Sequence, residues 1–140
     1  MEVMARYLGG VKFEVDARGH RAVCDQPREN GGLDEGMSPP EFLLAALATC
    51  AGYYAAQYLT ARNLSAAGLS VRVNAEKAAQ PARLGVFLIE VDAPPLEDQG
   101  LAERHQAGLL RAVKTCLIHN TLLAAPRIEV AVNVPVLAHS

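Results

Sequence analysis

The sequence has no excess of basic residues and no apolar run long enough to cross a bilayer. Its 140 residues include 13 lysines and arginines against 15 acidic residues, which gives a net charge of −2 with histidine neutral. Proteins that bind nucleic acid backbones need a basic surface, so this balance argues against a nucleic acid partner. The longest apolar stretch, Phe42 to Ala56, is shorter than the roughly 20 residues of a membrane span. We therefore expect no membrane partner.

Signals for secretion, metal binding and common cofactors are also missing from the sequence. The N-terminal stretch MEVMARYLGG places the acidic Glu2 ahead of any base and lacks a continuous apolar segment, unlike a signal peptide, so a cytoplasmic protein is expected. The three cysteines have no CxxC spacing, which argues against a disulfide framework or a four-thiolate zinc site. No phosphate-binding loop, Ser-His-Asp order or dinucleotide fingerprint is found, so no cofactor is expected.

The polar and apolar residues alternate in short runs near both ends of the chain. At this length a single domain over residues 1–140 is expected. Interruptions at Gly9-Gly10 and Arg18-Gly19 predict three strands joined by two hairpin turns. A second hairpin is predicted around a turn at residues 80–82, and RIEVAVNVPV, residues 127–136, predicts a last strand. The segment QPRENGGLDEGMSPP, residues 26–40, follows the three predicted N-terminal strands. It is polar and rich in glycine and proline, which predicts a loop.

The most apolar part of the chain begins with a helix-start signal. Ser38 and Glu41 have the S-x-x-E spacing of a capping box, with two prolines between them, which predicts a helix from about Pro39 to about Arg62. Since nearly every position from Phe42 to Ala56 is apolar, we expect protein to surround this helix on most sides. A further helix is predicted from Leu101 to about Thr115, followed by a shorter one in TCLIHNTLL. The pattern indicates an α+β domain in which antiparallel sheet packs on an apolar helix.

Two cysteines occupy helical positions, and their residue type alone leaves their role open. Cys50 lies in the middle of the apolar helix, where a free thiol is most often a small packing residue. Cys116 is either one more apolar position or, near the start of a helix segment, a thiol whose thiolate the peptide dipoles favour. His119 follows Cys116 by three residues, so Cys50, Cys116 and His119 could also supply three zinc ligands, although no fourth ligand is evident.

Two longer motifs resemble a known family. The stretch GHRAVCDQPRENGGLDEGMSPPEFLLAALATC, residues 19–50, is similar to the hallmark region of the osmotically induced protein C and organic hydroperoxide resistance (OsmC/Ohr) family. LLRAVKTCLIHNTL resembles the second cysteine helix of that family. The order of sheet, cysteine helix, sheet, cysteine helix and final strand matches over nearly the whole chain. The resemblance implies antiparallel sheets around a central cysteine-bearing helix, in an intertwined homodimer with two sites at the subunit interface.

The resemblance also implies a function for the cysteine pair. By analogy with the family, the chain is a thiol-dependent peroxidase that needs no cofactor or metal: Cys50 attacks the peroxide, Cys116 resolves the sulfenic acid, and an external dithiol reductant resets the disulfide. The apolar helix around Cys50 suits an organic hydroperoxide better than hydrogen peroxide. Cys24 matches no reactive position of the family and is expected to be a packing residue.

The family also uses a glutamate and an arginine beside the reactive thiol. Glu41 matches the glutamate, but nine residues separate it from Cys50, about 13 Å along the helix axis, so it would act across the dimer interface or through the arginine. The family arginine follows the Gly-Gly turn, where this chain has Val11 and Lys12. Lys12 carries charge without the planar guanidinium fork. The other bases near this turn are Arg6, Arg18 and Arg21.

The missing arginine leaves a second function open. The chain could be a non-catalytic dimeric OsmC-like protein that binds a small lipophilic or electrophilic ligand in the apolar interface. The retained cysteine pair and Glu41 favour the peroxidase instead. Three histidines are assigned no chemistry, because His20 falls in a predicted turn, His105 on a polar helix face and His139 beside the terminus.

Overall fold

Three helices and five strands make up the part of the chain that the structure describes. The computed structural model describes residues 1–138, so His139 lies outside the described residues. The order of elements is β1 (Met4–Gly9), β2 (Lys12–Ala17), β3 (His20–Cys24), α1 (Pro39–Thr60), β4 (Ser70–Ala78), β5 (Arg83–Asp92), α2 (Gln99–Val113) and α3 (Leu117–Leu123), with a 3-10 turn at Arg28–Asn30. Strands β1, β2 and β3 form one antiparallel sheet, and β4 and β5 form another. The predicted α+β class is confirmed.

Both N-terminal hairpin turns lie where the glycines predicted them. At Gly9-Gly10 the φ angles are 106° and 56°, and at Arg18-Gly19 they are 55° and 85°. Two successive residues with positive φ give a turn whose twist matches the twist of the flanking strands. The turns fix the register of the sheet, with Ala17 opposite His20 and Phe13 opposite Cys24.

A buried carboxylate organises the loop between β3 and α1. Asp25 is 1% exposed, and its oxygens accept hydrogen bonds from the backbone N–H groups of Gln26 (2.8 Å), Leu33 (3.2 Å) and Glu35 (3.1 Å). Burial is the largest influence on the pKa of Asp25 and raises it. The three N–H donors and the positive charge of Lys12 outweigh burial, so the pKa lies below its usual value. Lys12 in turn forms an ion pair with Glu35, which fastens the loop to β2.

Helix α1 begins at the predicted capping box. The Glu41 carboxylate oxygen accepts hydrogen bonds from the Ser38 backbone N–H at 3.0 Å and from the Ser38 hydroxyl at 2.8 Å. Because these donors stabilise the charged form, the pKa of Glu41 is lowered. The helix ends at Thr60, within two residues of the predicted end. By length and composition it meets the criterion for a membrane span, a criterion that core helices of soluble proteins also meet.

The expectation that protein surrounds α1 on most sides is wrong for the single chain. Only one stripe of the helix is buried. Its members are spaced four residues apart, which is about one helical turn: Leu47, Ala51, Ala55 and Leu59. The main neighbours of α1 are β4, β5, α2 and α3, which cover one side. Leu43 is 37% exposed and Tyr53 is 57% exposed. The three-stranded N-terminal sheet is not among these main neighbours, which explains why the remaining apolar surface of α1 is uncovered.

The predicted last strand is also not formed within one chain. Residues 124–138 contain no regular secondary structure, and the alternating apolar residues Ile128, Val130, Val132, Val134 and Val136 are 78–90% exposed. A strand is defined by hydrogen bonds to a neighbour. In the described part of the chain no strand edge pairs with this segment, so its alternating pattern has no partner.

The role of Asp25 gives a testable prediction. Asp25→Asn replaces one of the two acceptor oxygens by an NH2 group, which cannot accept hydrogen bonds, and should lower the urea midpoint of unfolding at pH 7. A depressed pKa means that the carboxylate stabilises the fold above the unfolded-state pKa, and that this contribution is lost as the pH falls through the folded-state pKa. The difference between wild type and variant should therefore shrink on acidification. Asp34→Asn, at an exposed position of the same loop, is the control and should unfold like wild type. Equal midpoints for Asp25→Asn and wild type at pH 7 would contradict the assignment.

Candidate active site

The structure brings together two of the three cysteines. Cys50 follows Leu47 and precedes Ala51 of the buried stripe on α1, and its side chain is half-buried. Cys116 is the N-cap residue of α3 and is fully buried, with 0% exposure. Helix α3 packs against α1, and the Cys50 thiol lies close enough to raise the pKa of the Cys116 thiol. Residues 66 positions apart in sequence thus form one two-thiol site.

The local structure around Cys116 determines how easily its thiol ionises. The Cys116 sulfur accepts a hydrogen bond from the backbone N–H of His119 at 3.4 Å. Burial is the largest influence on the pKa of Cys116 and raises it, and the adjacent Cys50 thiol raises it further. The N–H groups of His119 and Ile118 lower this pKa but offset only part of the effect, so it lies above its usual value. Cys116 therefore keeps its proton at neutral pH.

The geometry of the pair permits disulfide chemistry. All three cysteines are free thiols in this structure, and a disulfide requires two sulfurs whose side chains already face each other at short range. Cys50 and Cys116 are neighbours whose thiols influence one another, so they are the pair that could form one. Cys24 lies instead in β3, where its backbone is opposite Phe13 and bridges to Met37, so it belongs to the N-terminal sheet.

Glu41 and the candidate bases lie apart from the thiols within one chain. Glu41 is engaged by Ser38 at the start of α1, about 13 Å from Cys50 along the helix axis. Arg21 pairs with Asp16 at 3.0 Å, and Lys12 pairs with Glu35. All four candidate bases belong to the N-terminal sheet or its turns: Arg6, Lys12, Arg18 and Arg21.

The zinc alternative lacks a ligand set in the part of the chain that the structure describes. No group of three or more His, Cys, Asp or Glu side chains within residues 1–138 is arranged to hold a metal ion. The His119 ring nitrogen Nδ1 lies 3.4 Å from the side-chain oxygen of Asn120. His119 contacts Cys116 through its backbone N–H, whereas zinc binding would require its ring.

His105 is more buried than its place in the sequence predicts. A polar helix face predicts an exposed side chain, but His105 is half-buried and its Nδ1 lies 2.9 Å from the hydroxyl of Tyr58. The Arg62 guanidinium lies 3.6 Å from the centre of the Tyr58 ring. A Cβ atom at Gly108 would overlap Tyr58, so the glycine is what admits the ring. The isolated glycine in a helical pattern was the available signal for this close approach.

Beside the thiol pair is a large cleft that the sequence did not predict. It lies between α1, β5, α2 and α3 and has a volume of about 1070 Å³. Its lining includes Leu47 of the buried α1 stripe and His119, whose backbone contacts Cys116. The cleft therefore reaches the neighbourhood of the thiols.

Comparison with known proteins extends this picture. The family model described as OsmC-like protein matches residues 32–131, and no curated protein matches the chain. A Psychrobacter arcticus structure, named for an osmotic stress induced and detoxification response, has 21% identity and a TM-score of 0.75, with 85% of each chain covered. An organic hydroperoxide resistance protein OsmC of Legionella pneumophila has 21% identity and a TM-score of 0.64, covering 89% of this chain and 90% of that one. An organic hydroperoxide resistance protein of Elizabethkingia anophelis has 17% identity and a TM-score of 0.61, covering 89% and 90%. At these identities the likeness shows a shared fold.

The difference in burial between the thiols predicts an order of alkylation. With iodoacetamide at pH 7.5, Cys116 should be labelled about ten-fold or more slowly than Cys50, because it is buried and its raised pKa leaves little reactive thiolate. Peptide mass mapping of samples quenched at intervals gives the three rates. In urea the three rates should converge, which controls for peptide detection. Labelling of Cys116 ahead of Cys50 in the folded protein would refute the described burial.

Proposed function

Because the chain belongs to the OsmC-like protein family, we propose that it is a thiol-dependent peroxidase that reduces organic hydroperoxides in defence against oxidative stress. The observation that carries the proposal is the proximity of the half-buried Cys50 thiol to the buried Cys116 thiol, whose pKa it raises. Such a pair can pass through a sulfenic acid to a disulfide without large movement. No cofactor is needed, and a reducing cytoplasm would keep both thiols ready.

The proposed reaction has three steps. The Cys50 thiolate attacks one oxygen of the hydroperoxide, the O–O bond breaks, and the products are a Cys50 sulfenic acid and an alcohol whose oxygen takes up a proton. The Cys116 sulfur then attacks the Cys50 sulfur, which forms the disulfide and releases water. Finally an external dithiol reduces the disulfide by exchange and becomes oxidised itself. The sum consumes one hydroperoxide and one dithiol and yields one alcohol, one water and one oxidised dithiol.

The environments of the two thiols support this division of roles. The attacking group must be reachable by substrate, and of the two thiols Cys50 is the more exposed. The resolving group reacts only after the sulfenic acid has formed. Before that step, the raised pKa of Cys116 keeps its side chain as a protonated, unreactive thiol. Most residues of α1 around Cys50 are apolar. This environment favours a substrate with an organic tail.

One observation favours the alternative of a non-catalytic binding protein. In the single chain, each candidate base lies on the N-terminal sheet or its turns, and the thiol pair is on α1 and α3. A thiolate gains reactivity from a nearby positive charge, and one chain does not supply it from these residues. A dimeric protein that sequesters a small lipophilic or electrophilic ligand would not need that charge.

A second chain would resolve this difficulty, and we propose the intertwined homodimer. The uncovered side of α1 and the exposed valines of residues 128–136 are apolar surfaces that water contacts in the single chain. Large exposed apolar surfaces mark protein interfaces. A partner whose sheet pairs with residues 127–136 would satisfy their alternating pattern, and its N-terminal sheet could carry Lys12 or an arginine toward Cys50. Glu41 would take part in the same way, across the interface.

The redox proposal is tested by intact mass under non-reducing conditions. One equivalent of cumene hydroperoxide added to the reduced protein should remove two hydrogens from the wild-type mass. Cys116→Ser should trap an oxidised Cys50, and Cys50→Ser should remain unoxidised. Cys24→Ser is the matched control and should behave as wild type. A wild-type mass that never changes would leave the binding protein as the better account.

The dimer is tested by variants on the two faces of residues 127–136. Val130→Lys with Val134→Lys should weaken the dimer by about 100-fold or more, since burial of each valine contributes roughly 1.5–3 kcal/mol. The matched control, Ala131→Lys with Asn133→Lys, adds the same charge to the opposite face and should retain the dimer. Light scattering coupled to size exclusion over a range of micromolar concentrations measures both. A wild-type protein that stays monomeric, or equal weakening by both pairs, would exclude this interface.

A further inference from the structure

The face of α1 that carries Cys50 also carries two tyrosines and a glutamine. Tyr53 and Tyr54 follow Cys50 by three and four residues, and Gln57 follows it by seven. At 100° per residue, the two tyrosines lie about 60° to one side of Cys50 and about 40° to the other, one turn further along the helix. Residues at these spacings are neighbours on a helix surface, with Cβ atoms about 5–6 Å apart. The two phenol side chains therefore start on either side of the thiol.

The Tyr53 hydroxyl is held in place by Gln57. Gln57 Nε2 donates a hydrogen bond of 2.7 Å to the Tyr53 oxygen, and the rings of Tyr53 and Tyr54 meet edge to face with their centres 5.2 Å apart. In the part of the chain that the structure describes, the bond with Gln57 is the only side-chain hydrogen bond of Tyr53, so the hydroxyl hydrogen is available to a substrate. A hydroxyl whose oxygen accepts a hydrogen bond is polarised and becomes a stronger donor.

The first step of the proposed peroxidase reaction needs a donor of this kind. When the Cys50 thiolate attacks one oxygen of the hydroperoxide, negative charge develops on the other oxygen as the O–O bond breaks. Within one chain, the candidate bases lie on the N-terminal sheet or its turns, and α1 itself carries no lysine or arginine from Pro39 to Thr60. A side chain that gives a proton to the reacting group in the transition state, tyrosine among them, typically accelerates a reaction by about 100-fold or more.

From these features we propose that Tyr53 is the proton donor to the departing oxygen and that Gln57 is its positioning residue. The Cys50 thiolate forms a bond to the terminal oxygen, the O–O bond breaks, and its electron pair passes to the oxygen that carries the organic group. The Tyr53 phenol gives that oxygen its proton, which releases the alcohol and leaves a sulfenic acid on Cys50. The phenolate then takes a proton from water. This role rests on the proposed peroxidase function and adds a catalytic side chain to the same site.

The neighbouring Tyr54 is less suited to this role. Gln57 bonds to Tyr53 and not to Tyr54, and Tyr54 is half-buried whereas Tyr53 is 57% exposed. Tyr53 lies on the uncovered side of α1, where the proposed homodimer would place the partner. A partner at this face would exclude water from the hydroxyl, which strengthens its electrostatic interaction with a developing charge. Tyr54 therefore provides a matched control.

The test compares two reactions of Cys50 in the full-length protein that differ in their leaving groups. Cumene hydroperoxide releases an alkoxide that needs a proton, whereas iodoacetamide releases iodide, which does not. Tyr53→Phe should slow the oxidation of Cys50 by about ten-fold or more and change its alkylation by less than about two-fold. Gln57→Leu should slow oxidation with the same selectivity and by a smaller factor. Tyr54→Phe should leave both rates as in wild type. Peptide mass mapping of Cys50 in samples quenched at intervals gives each rate.

The other outcomes would overturn the proposal. Equal slowing of both reactions by Tyr53→Phe would show a structural effect on the thiol, and a wild-type rate of oxidation would show that the phenol takes no part. Slowing by Tyr54→Phe as large as that by Tyr53→Phe would contradict the choice of donor. Failure of the peroxidase itself is distinct, because wild-type Cys50 would then resist cumene hydroperoxide and still react with iodoacetamide. Circular dichroism of the variants confirms that they are folded before the rates are compared.

Discussion

The packing of α1 against its neighbours is the interaction on which the rest of the molecule depends. The buried stripe of α1 contacts Leu109 and Val113 of α2, and residues of β4 and β5 pack on the same cluster. Ala51 and Ala55 in the stripe are small and completely buried, so neighbouring elements can approach the helix closely. This contact fixes the rotation of α1 about its axis. A change of one residue in that rotation, 100°, would turn Cys50 away from α3.

Local signals explain why much of the fold could be predicted from the sequence. Gly9 and Gly10 form a turn through their own backbone conformations, independently of the surrounding structure. The start of α1 is likewise determined locally, by hydrogen bonds between Ser38 and Glu41, which are three residues apart. The hallmark motifs then supplied the pairing of Cys50 with Cys116, which periodicity alone left open. These features depend on short-range geometry or on motif resemblance, and neither requires knowledge of what covers the helix.

The features that the sequence did not predict depend on long-range contacts. The contact between Tyr58 and His105 joins residues 47 positions apart. The isolated Gly108 signals a close approach at this point of α2 but does not identify Tyr58 as the neighbour. The cleft arises from the relative placement of four elements. Residues 127–136 have the pattern of a strand, but no strand of the described residues pairs with them. A shortage of neighbours within the single chain also explains why α1 is apolar on nearly all sides but is covered on only one of them.

The central claim is that Cys50 and Cys116 form a working redox pair. Its most direct test is a peptide map of the protein oxidised with one equivalent of an organic hydroperoxide and then blocked with iodoacetamide without prior reduction. The account predicts one linked pair of peptides, joining Cys50 to Cys116 within a single chain, with Cys24 alkylated. Alkylation of all three cysteines, or a disulfide that includes Cys24, would contradict it.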